Sequence, residues 1–298
     1  MSDERPTVRP VTLSRMAELT HACEAVSKST VDLEDELEVS HRRARETILE
    51  AKRISLLDED DSGEEPVYTT TDVGLSFLSA IRDEDWSQVS TILETRSPHY
   101  GTFIEVLENV ENAGLDTLLT QLEEAQEFSP YSYNQTSVEV LGDWAERLGR
   151  VQRNAFTGDY YLVDQAAISA NFHYLLLDVY DDLEERAGVD LRQRYLSIPR
   201  LREETCERLG CTRDDFDAAL LGLCRQNVGK LELSGAPMDT AAKDSALGIK
   251  RIALSEEDGL VSTSQSTQQV MAGVEQFGKK YYYLAVHDRD IEYSQEAT

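Results

Sequence analysis

Positively charged side chains are concentrated in one short stretch of an otherwise acidic chain. The candidate contacts in this stretch are Ser40, His41, Arg42, Arg43, Arg45, Lys52 and Arg53. An arginine guanidinium can donate two parallel hydrogen bonds to guanine, and arginine or lysine can hold a phosphate. A serine hydroxyl at the N-terminus of a helix can also meet a phosphate. These residue types therefore predict contact with the bases and the backbone of double-stranded DNA.

The same stretch has a second interpretation, because acids are interspersed with the cations. Arg42 and Glu46 are four residues apart, the spacing at which ion pairs form on a helix surface. Glu46 and Glu50 have the same spacing and repel each other. The alternative to a DNA contact is therefore a helix face whose charges serve only solvation.

Three further arginines recur at intervals of three residues, Arg147, Arg150 and Arg153. They are candidate secondary contacts, either for a phosphate or for a carboxylate of a protein partner. A surface that interacts only with solvent explains them equally well.

Residue patterns for metal binding and catalysis are missing from the sequence. The four cysteines are Cys23, Cys206, Cys211 and Cys224, which form no CxxC pair, and the last three have no histidine close by in the sequence. That spacing is poor for zinc, and Cys23 and Cys224 fall on apolar helical faces, which predicts core packing. There is no glycine-rich phosphate loop, no HExxH and no GxSxG. We therefore expect a protein that is not an enzyme, with no catalytic residue, metal or cofactor.

Helical periodicity positions the first basic group. Ala44, Ile48 and Ala51 recur at spacings of four and three, which predicts a helix over residues 41–53 with Ser40 as its N-cap. On this helix, positions 41, 42 and 45 lie opposite the apolar face.

The flanking pattern alternates helices with short strands. It predicts helices over residues 11–26, 31–37 (capped by Thr30) and 72–82 (capped by Thr71), short strands over 54–57 and 66–68, and an acidic loop over 58–65. Residues 32–45 resemble the helix-turn-helix of archaeal and bacterial transcription regulators of the winged helix-turn-helix superfamily. Residues 68–78 are similar to the passage from the wing to the last helix in that superfamily. The resemblance, which extends over residues 9–82, implies that the N-terminal part of helix 41–53 enters the major groove.

A similar order of elements recurs along the chain. We expect a mainly α protein with small β-hairpin wings, of the α+β class, built from tandem winged helix-turn-helix domains. The predicted segments are a disordered tail (1–10), a first winged unit (11–90), a second winged-helix-like unit (96–163), a long linking helix (164–190), a third unit with a long wing (191–288) and a disordered tail (289–298). Within them we predict a helix over 165–187 capped by Asp164, strands over 229–233, 250–254 and 279–286, and a mobile wing over 255–278. Three acids near the start of the helix that begins at Arg213 favour protein interaction or dimerisation for the third unit.

Net charge indicates the kind of surface. The chain has 57 Asp and Glu against 29 Lys and Arg, a formal net charge of −28 that is spread along its length. Such a surface resembles that of halophilic proteins, which stay hydrated in concentrated salt, and an ordinary acidic protein is the alternative. No apolar run approaches a transmembrane length, and residues 1–10 are not a signal peptide, so we expect a cytoplasmic protein without a membrane partner.

Two functional hypotheses remain open. The first is a transcription regulator that reads double-stranded DNA with residues 40–53, paired as a homodimer or bound to a protein partner. The second is a non-catalytic adaptor, in which tandem winged helices bridge subunits of a nucleic-acid-processing, chromosome-organising or genome-defence complex. The acidic residues 58–61, where regulators often place arginine or lysine, favour the second hypothesis.

Overall fold

The computed structural model describes residues 6–110, 113–125, 130–163, 168, 170–186, 195–235 and 267–294. Helices predominate in these residues, and the sheets are small and antiparallel, so the predicted α+β class is confirmed. The chain divides into two compact units. The first contains the described residues up to Val151, and the second contains those from Gln152 onward.

The first unit opens with three helices and a small sheet. In chain order its elements are α1 (Leu13–Ala22), β1 (Lys28–Ser29), α2 (Thr30–Glu36), α3 (His41–Arg53), β2 (Leu57–Asp60), β3 (Val67–Thr70) and α4 (Asp72–Arg82). The sheet has the order β1–β3–β2, so the last strand lies in the centre. Tyr68 of β3 lies opposite Lys28 on one side and Glu59 on the other.

Local chemistry explains why α4 begins where the sequence predicts. The Thr71 hydroxyl accepts a hydrogen bond from the Gly74 amide at 3.0 Å and donates one to the Ser55 carbonyl at 2.6 Å. A side chain at Gly74 would approach the Leu56 carbonyl oxygen to 2.3 Å. The glycine therefore permits α4 to pack directly against the chain that leads into β2.

Two predictions for this region are wrong in detail. The α2 helix is capped by Ser29 and not by Thr30, because Ser29 and Asp32 form a reciprocal capping box. Ile54 ends α3, and the strand that follows is Leu57–Asp60, of which only Leu57 lies in the predicted strand and the other three residues lie in the predicted loop. An edge strand pairs through its main chain, so the exposed side chains Asp58, Glu59 and Asp60 do not prevent it.

Four more helices complete the first unit. They are α5 (Trp86–Arg96), α6 (Pro98–Asn109), α7 (Leu115–Ala125) and α8 (Gln135–Arg147). Helix α5 has no counterpart among the predicted elements, and the other three helices were predicted to belong to a separate segment, 96–163. In the structure α4, α5 and α6 pack in succession, and the boundary between the two units falls inside the strand that follows α8.

Residues 6–11 belong to the core of the first unit, although residues 1–10 were predicted to be a disordered tail. Val8 and Val11 are buried. The Trp144 indole donates to the Val11 carbonyl at 2.9 Å, and the His99 Nε2 lies 2.8 Å from the Pro6 carbonyl. Residues 1–5 lie outside the described residues.

The buried His99 makes stability depend on pH. Its pKa is lowered from 6.5 to about 4, mainly by burial and also by the Arg53 charge, while interactions with the backbone of Pro6 and Ser132 oppose the shift. The unfolded chain therefore binds a proton at a higher pH than the folded chain does. The free energy of unfolding is expected to fall as the pH decreases from about 6.5 through about 4.

Urea denaturation at a series of pH values, with wild type beside a His99→Gln variant, measures this effect. Glutamine keeps an N–H for the Pro6 carbonyl but does not titrate in this range. The wild type should lose more stability on acidification than the variant loses. An equal loss in both proteins would contradict the assignment.

The second unit begins at a hairpin and contains its own three-stranded sheet. Its elements are β4 (Val151–Arg153, whose first residue belongs to the first unit), β5 (Tyr160–Leu162), α9 (Phe172–Arg186), β6 (Leu196–Ser197), α10 (Ile198–Leu209), α11 (Arg213–Gln226), β7 (Leu231–Ser234), α12 (Thr267–Val270), β8 (Val274–Gln276), β9 (Lys279–Tyr281) and β10 (Tyr283–Val286). The sheet has the order β6–β10–β7. Its last strand is again central, so the sheets of the two units share one strand order.

Several predictions for the second unit need correction. The helix predicted over 165–187 begins at Phe172, and residues 168, 170 and 171 are not helical. The proposed cap Asp164 and the strand over 250–254 lie outside the described residues. Within the predicted mobile wing, residues 267–276 form α12 and β8. The predicted strand over 279–286 is interrupted at Tyr282, whose amide bonds to the Ser234 and Gly235 carbonyls.

The C-terminal segment is also attached to its unit. Residues 289–298 were predicted to be disordered, but Ile291 is buried and the Glu292 amide donates to Asn227 Oδ1 at 2.9 Å. Tyr293 packs on Phe172 with ring centroids 5.6 Å apart. Residues 295–298 lie outside the described residues.

Candidate nucleic-acid interface

The N-terminal half of α3 presents arginines to solvent. Ala44, Ile48 and Ala51 are buried on one face, as their spacing predicts. Arg42, Arg43 and Arg45 are exposed, and the Arg42 side chain keeps 88% of its surface accessible. The three predicted arginines are therefore brought together on one exposed part of the helix.

Polar contacts hold the start of α3 in place. Ser40 caps the helix, and its hydroxyl accepts from the Arg43 amide at 3.5 Å. His41 Nδ1 contacts Glu34 of α2, and Arg42 Nε donates to Glu46 at 3.2 Å. Both contacts are exposed, so a ligand can exchange them for its own at little cost, because surface ion pairs contribute ~0–1 kcal/mol.

The C-terminal cations of α3 have other roles. Lys52 pairs with Glu59 of β2 and lies 6.0 Å from the centre of the Tyr68 ring. The Arg53 side chain is only 6% exposed, donates to the Thr7 carbonyl at 3.1 Å and pairs with Glu50. Of the seven predicted contacts, Arg53 is therefore buried apart from the exposed arginines, and Lys52 is engaged with Glu59 of β2.

Arg53 is buried because it pairs with the buried Glu50. Glu50 was not among the residues predicted to be structurally important. Its side chain is fully buried and accepts a hydrogen bond from the Arg9 amide at 3.2 Å, while the Arg9 guanidinium lies 3.7 Å away. A signal was present in the sequence. Glu50 follows the buried Thr47 by three residues and precedes the buried Ile54 by four, which places it on the apolar face.

A groove of about 600 Å³ runs between α3 and the β2–β3 hairpin. His41, Arg45 and Lys52 line it from the helix, and Glu59 and Glu65 line it from the hairpin side. One wall is therefore basic and the other acidic. Phosphate is favoured only on the wall formed by α3.

The secondary arginines are already engaged. Arg147 is buried and donates through Nε to both carboxylate oxygens of Asp143, at 2.9 and 3.0 Å. Arg150 lies 3.5 Å from Glu94 and 3.0 Å from Glu108.

In the second unit, Arg153 donates to the Gly158 carbonyl at 3.0 Å and lies 5.2 Å from the centre of the Tyr160 ring. The structure therefore gives each of the three secondary arginines an internal partner.

The start of α11 differs chemically from the start of α3. Thr212 caps α11, and Asp214 and Asp215 are exposed in its first turn. Arg213 is directed inward, where its guanidinium pairs with the buried Glu203. This helix end presents carboxylates to solvent, as predicted for the third unit.

The cysteines are buried, in agreement with core packing for Cys23 and Cys224. Burial raises the pKa of the Cys23 thiol to about 11 and that of Cys224 to about 12, so neither is a reactive thiolate at neutral pH. Within the described ranges, no three His, Cys, Asp or Glu side chains are grouped to hold a metal ion. None of the helices described there has the length and apolarity needed to cross a membrane.

Comparison with known proteins identifies no relative of this chain. No family model, no curated protein and no solved structure matches the chain. A functional assignment therefore depends on the geometry described above.

Proposed function

We propose that the chain is a DNA-binding protein, a transcription regulator whose first unit reads double-stranded DNA with α3. In this proposal residues 11–82 act as a winged helix-turn-helix. The observation that carries it is the group of exposed arginines, Arg42, Arg43 and Arg45, at the capped N-terminus of a helix whose opposite face is buried.

The geometry supports insertion of α3 into the major groove. That groove is about 12 Å wide and accommodates one α-helix. The three arginines lie within the first five residues of the helix, the part that contacts base edges in helix-turn-helix proteins. Each can donate two hydrogen bonds to guanine or hold a phosphate on the wall of the groove.

Charge limits the orientation on DNA. Asp58, Glu59 and Asp60 are exposed on β2 and are repelled by phosphates. The hairpin is therefore expected to stay away from the backbone while α3 enters the groove. With a net charge of −28, association also requires enough salt to screen the repulsion between the chain and DNA.

Selection from a random duplex library tests the proposal. The full chain is incubated with the library over a series of salt concentrations, since affinity for DNA depends strongly on salt. The expected result is enrichment of one motif that contains guanines at fixed positions. Recovery of an unenriched library at every salt concentration would contradict sequence reading.

A second candidate function is a protein adaptor. The acidic first turn of α11 favours it, because Asp214 and Asp215 suit a basic protein surface and not a phosphate backbone. In that case the purified chain should select no motif and should instead co-purify in a fixed ratio with a larger complex. Both functions include a protein partner or a second copy of the chain.

A further inference from the structure

Hairpin β8–β9 of the second unit carries an aromatic side chain at its tip that contacts almost nothing. Phe277 is 87% exposed. Its φ is 53°, followed by 70° at Gly278, so two consecutive left-handed residues connect the strands. Such two-residue turns favour Asn-Gly, and a bulky residue with positive φ is strained. The phenylalanine therefore costs stability in the free protein and recovers little through packing.

Two lysines adjoin this tip. The chain contains only seven lysines, and Lys279 and Lys280 are both exposed here. Lys279 lies opposite Gln276, and Lys280 lies opposite Glu275. Among the described residues, neither lysine forms an ion pair. Because consecutive residues of a strand point to opposite faces, the two ammonium groups lie on the two faces of the ribbon.

The base of the hairpin is fixed, in contrast to its tip. Val274 and Met271 are buried. The buried Arg202 of α10 donates to the Val270 and Ala272 carbonyls at 3.0 and 3.1 Å, and its guanidinium also pairs with Asp217. The tip is therefore presented to solvent by a rigid support, which lowers the entropic cost of binding.

We propose that hairpin β8–β9 is a second contact with duplex DNA, in which the ribbon enters a groove. A groove has phosphates on both walls, and a two-stranded ribbon fits into it. Lysines on both faces of the ribbon then each meet a wall. A flat anionic surface, such as a lipid bilayer, meets one face only. Phe277 at the leading end is placed to make apolar contact with base edges, such as the thymine methyl group.

This inference rests on the proposed function only in taking duplex DNA as the ligand, since the hairpin and α3 belong to different units. Its test uses the full chain and a labelled duplex of random sequence, so that reading by α3 is not required. Binding is followed by fluorescence anisotropy over a series of salt concentrations. The variants are Phe277→Asn and the double variant Lys279→Gln/Lys280→Gln.

The expected effects differ between the two variants. Phe277→Asn creates an Asn-Gly turn, which keeps the hairpin folded, and should weaken binding about tenfold through lost apolar contact. The double lysine variant should lower the steepness of the dependence of log affinity on log salt by about two, because two phosphate contacts are lost. Val228→Thr, at a residue of the second unit that is 84% exposed, is the matched control and should bind as wild type does.

Other outcomes overturn the inference. The hairpin contact with DNA is refuted if both hairpin variants bind the duplex as tightly as wild type does. It is also refuted if wild type binds phosphatidylserine vesicles and not the duplex. The proposed function is tested separately, by whether the protein enriches one motif from the random duplex library. If hairpin variants bind random duplex normally while the α3 arginines remain necessary for the motif, only the hairpin contact fails. If the hairpin variants lose random binding and no motif is selected, only reading by α3 fails.

Discussion

Replacing Arg42, Arg43 and Arg45 together by alanine is expected to weaken binding to the selected motif by about a thousandfold or more. A bidentate arginine–guanine contact contributes about 1–3 kcal/mol of discrimination, and about 1.4 kcal/mol corresponds to a factor of ten. The fold should survive, because the three side chains are exposed and alanine has the highest helix propensity. The lost Arg42–Glu46 pair contributes only ~0.2–0.5 kcal/mol.

Anisotropy titration with the selected duplex measures this loss, and a charge-matched variant controls for it. Arg96, Arg200 and Arg225 are exposed and lie outside α3, so their replacement by alanine removes the same three charges. The control should keep affinity within about tenfold of wild type, since general electrostatics then changes equally in both variants. Equal losses in the two variants would indicate that only net charge matters and would contradict reading by α3.

Replacing Glu203 by alanine is expected to lower the free energy of unfolding of the second unit by about 3–5 kcal/mol. The Glu203 side chain is fully buried and accepts two hydrogen bonds from Arg213, at 2.5 and 2.8 Å. It also accepts one from the Ala155 amide at 2.7 Å. Without the carboxylate, Arg213 loses its charged partner Glu203 but remains buried. It keeps its hydrogen bond to the Arg153 carbonyl at 2.6 Å and its other interactions.

Hydrogen exchange in α10 and α11 measures the effect in the second unit itself. Glu185→Ala on α9 is the matched control, because Glu185 is exposed and surface substitutions usually change stability by less than about 0.5 kcal/mol. The double variant Glu203→Met/Arg213→Met removes both charges and should recover most of the lost protection. If the double variant is as unstable as Glu203→Ala, the loss comes from cavity formation and not from the unpaired arginine.

Local signals predicted those elements that carry both a cap and a regular apolar spacing. Helix α3 is predicted to the residue, because Ser40 marks its start and Ala44, Ile48 and Ala51 mark its buried face. The start of α4 follows in the same way from Thr71. The exposure of His41, Arg42 and Arg45 then follows from helix geometry alone.

Tertiary contacts determine what the sequence analysis missed. Strand β1 has two residues and exists only because it pairs with β3, so no local pattern marks it. Arginine is usually found at the surface, but Arg53 is buried by its contacts with Thr7 and Glu50. Thr7 lies far from Arg53 in the chain, so no local pattern marks this contact. Residues 6–10 were assigned to a tail because Arg9 and the two prolines hide Val8, which enters the core.

A genome-wide map of DNA occupancy in the organism of origin is the most direct test of whether α3 reads DNA sequence. Tagged wild type is compared with the Arg42→Ala/Arg43→Ala/Arg45→Ala variant and with the charge-matched control. Work inside the cell keeps the native salt concentration, on which DNA affinity depends. We predict discrete peaks that share one motif, are lost in the α3 variant and persist in the control. An absence of peaks, or peaks that are identical with and without the three arginines, would show that α3 does not read DNA sequence.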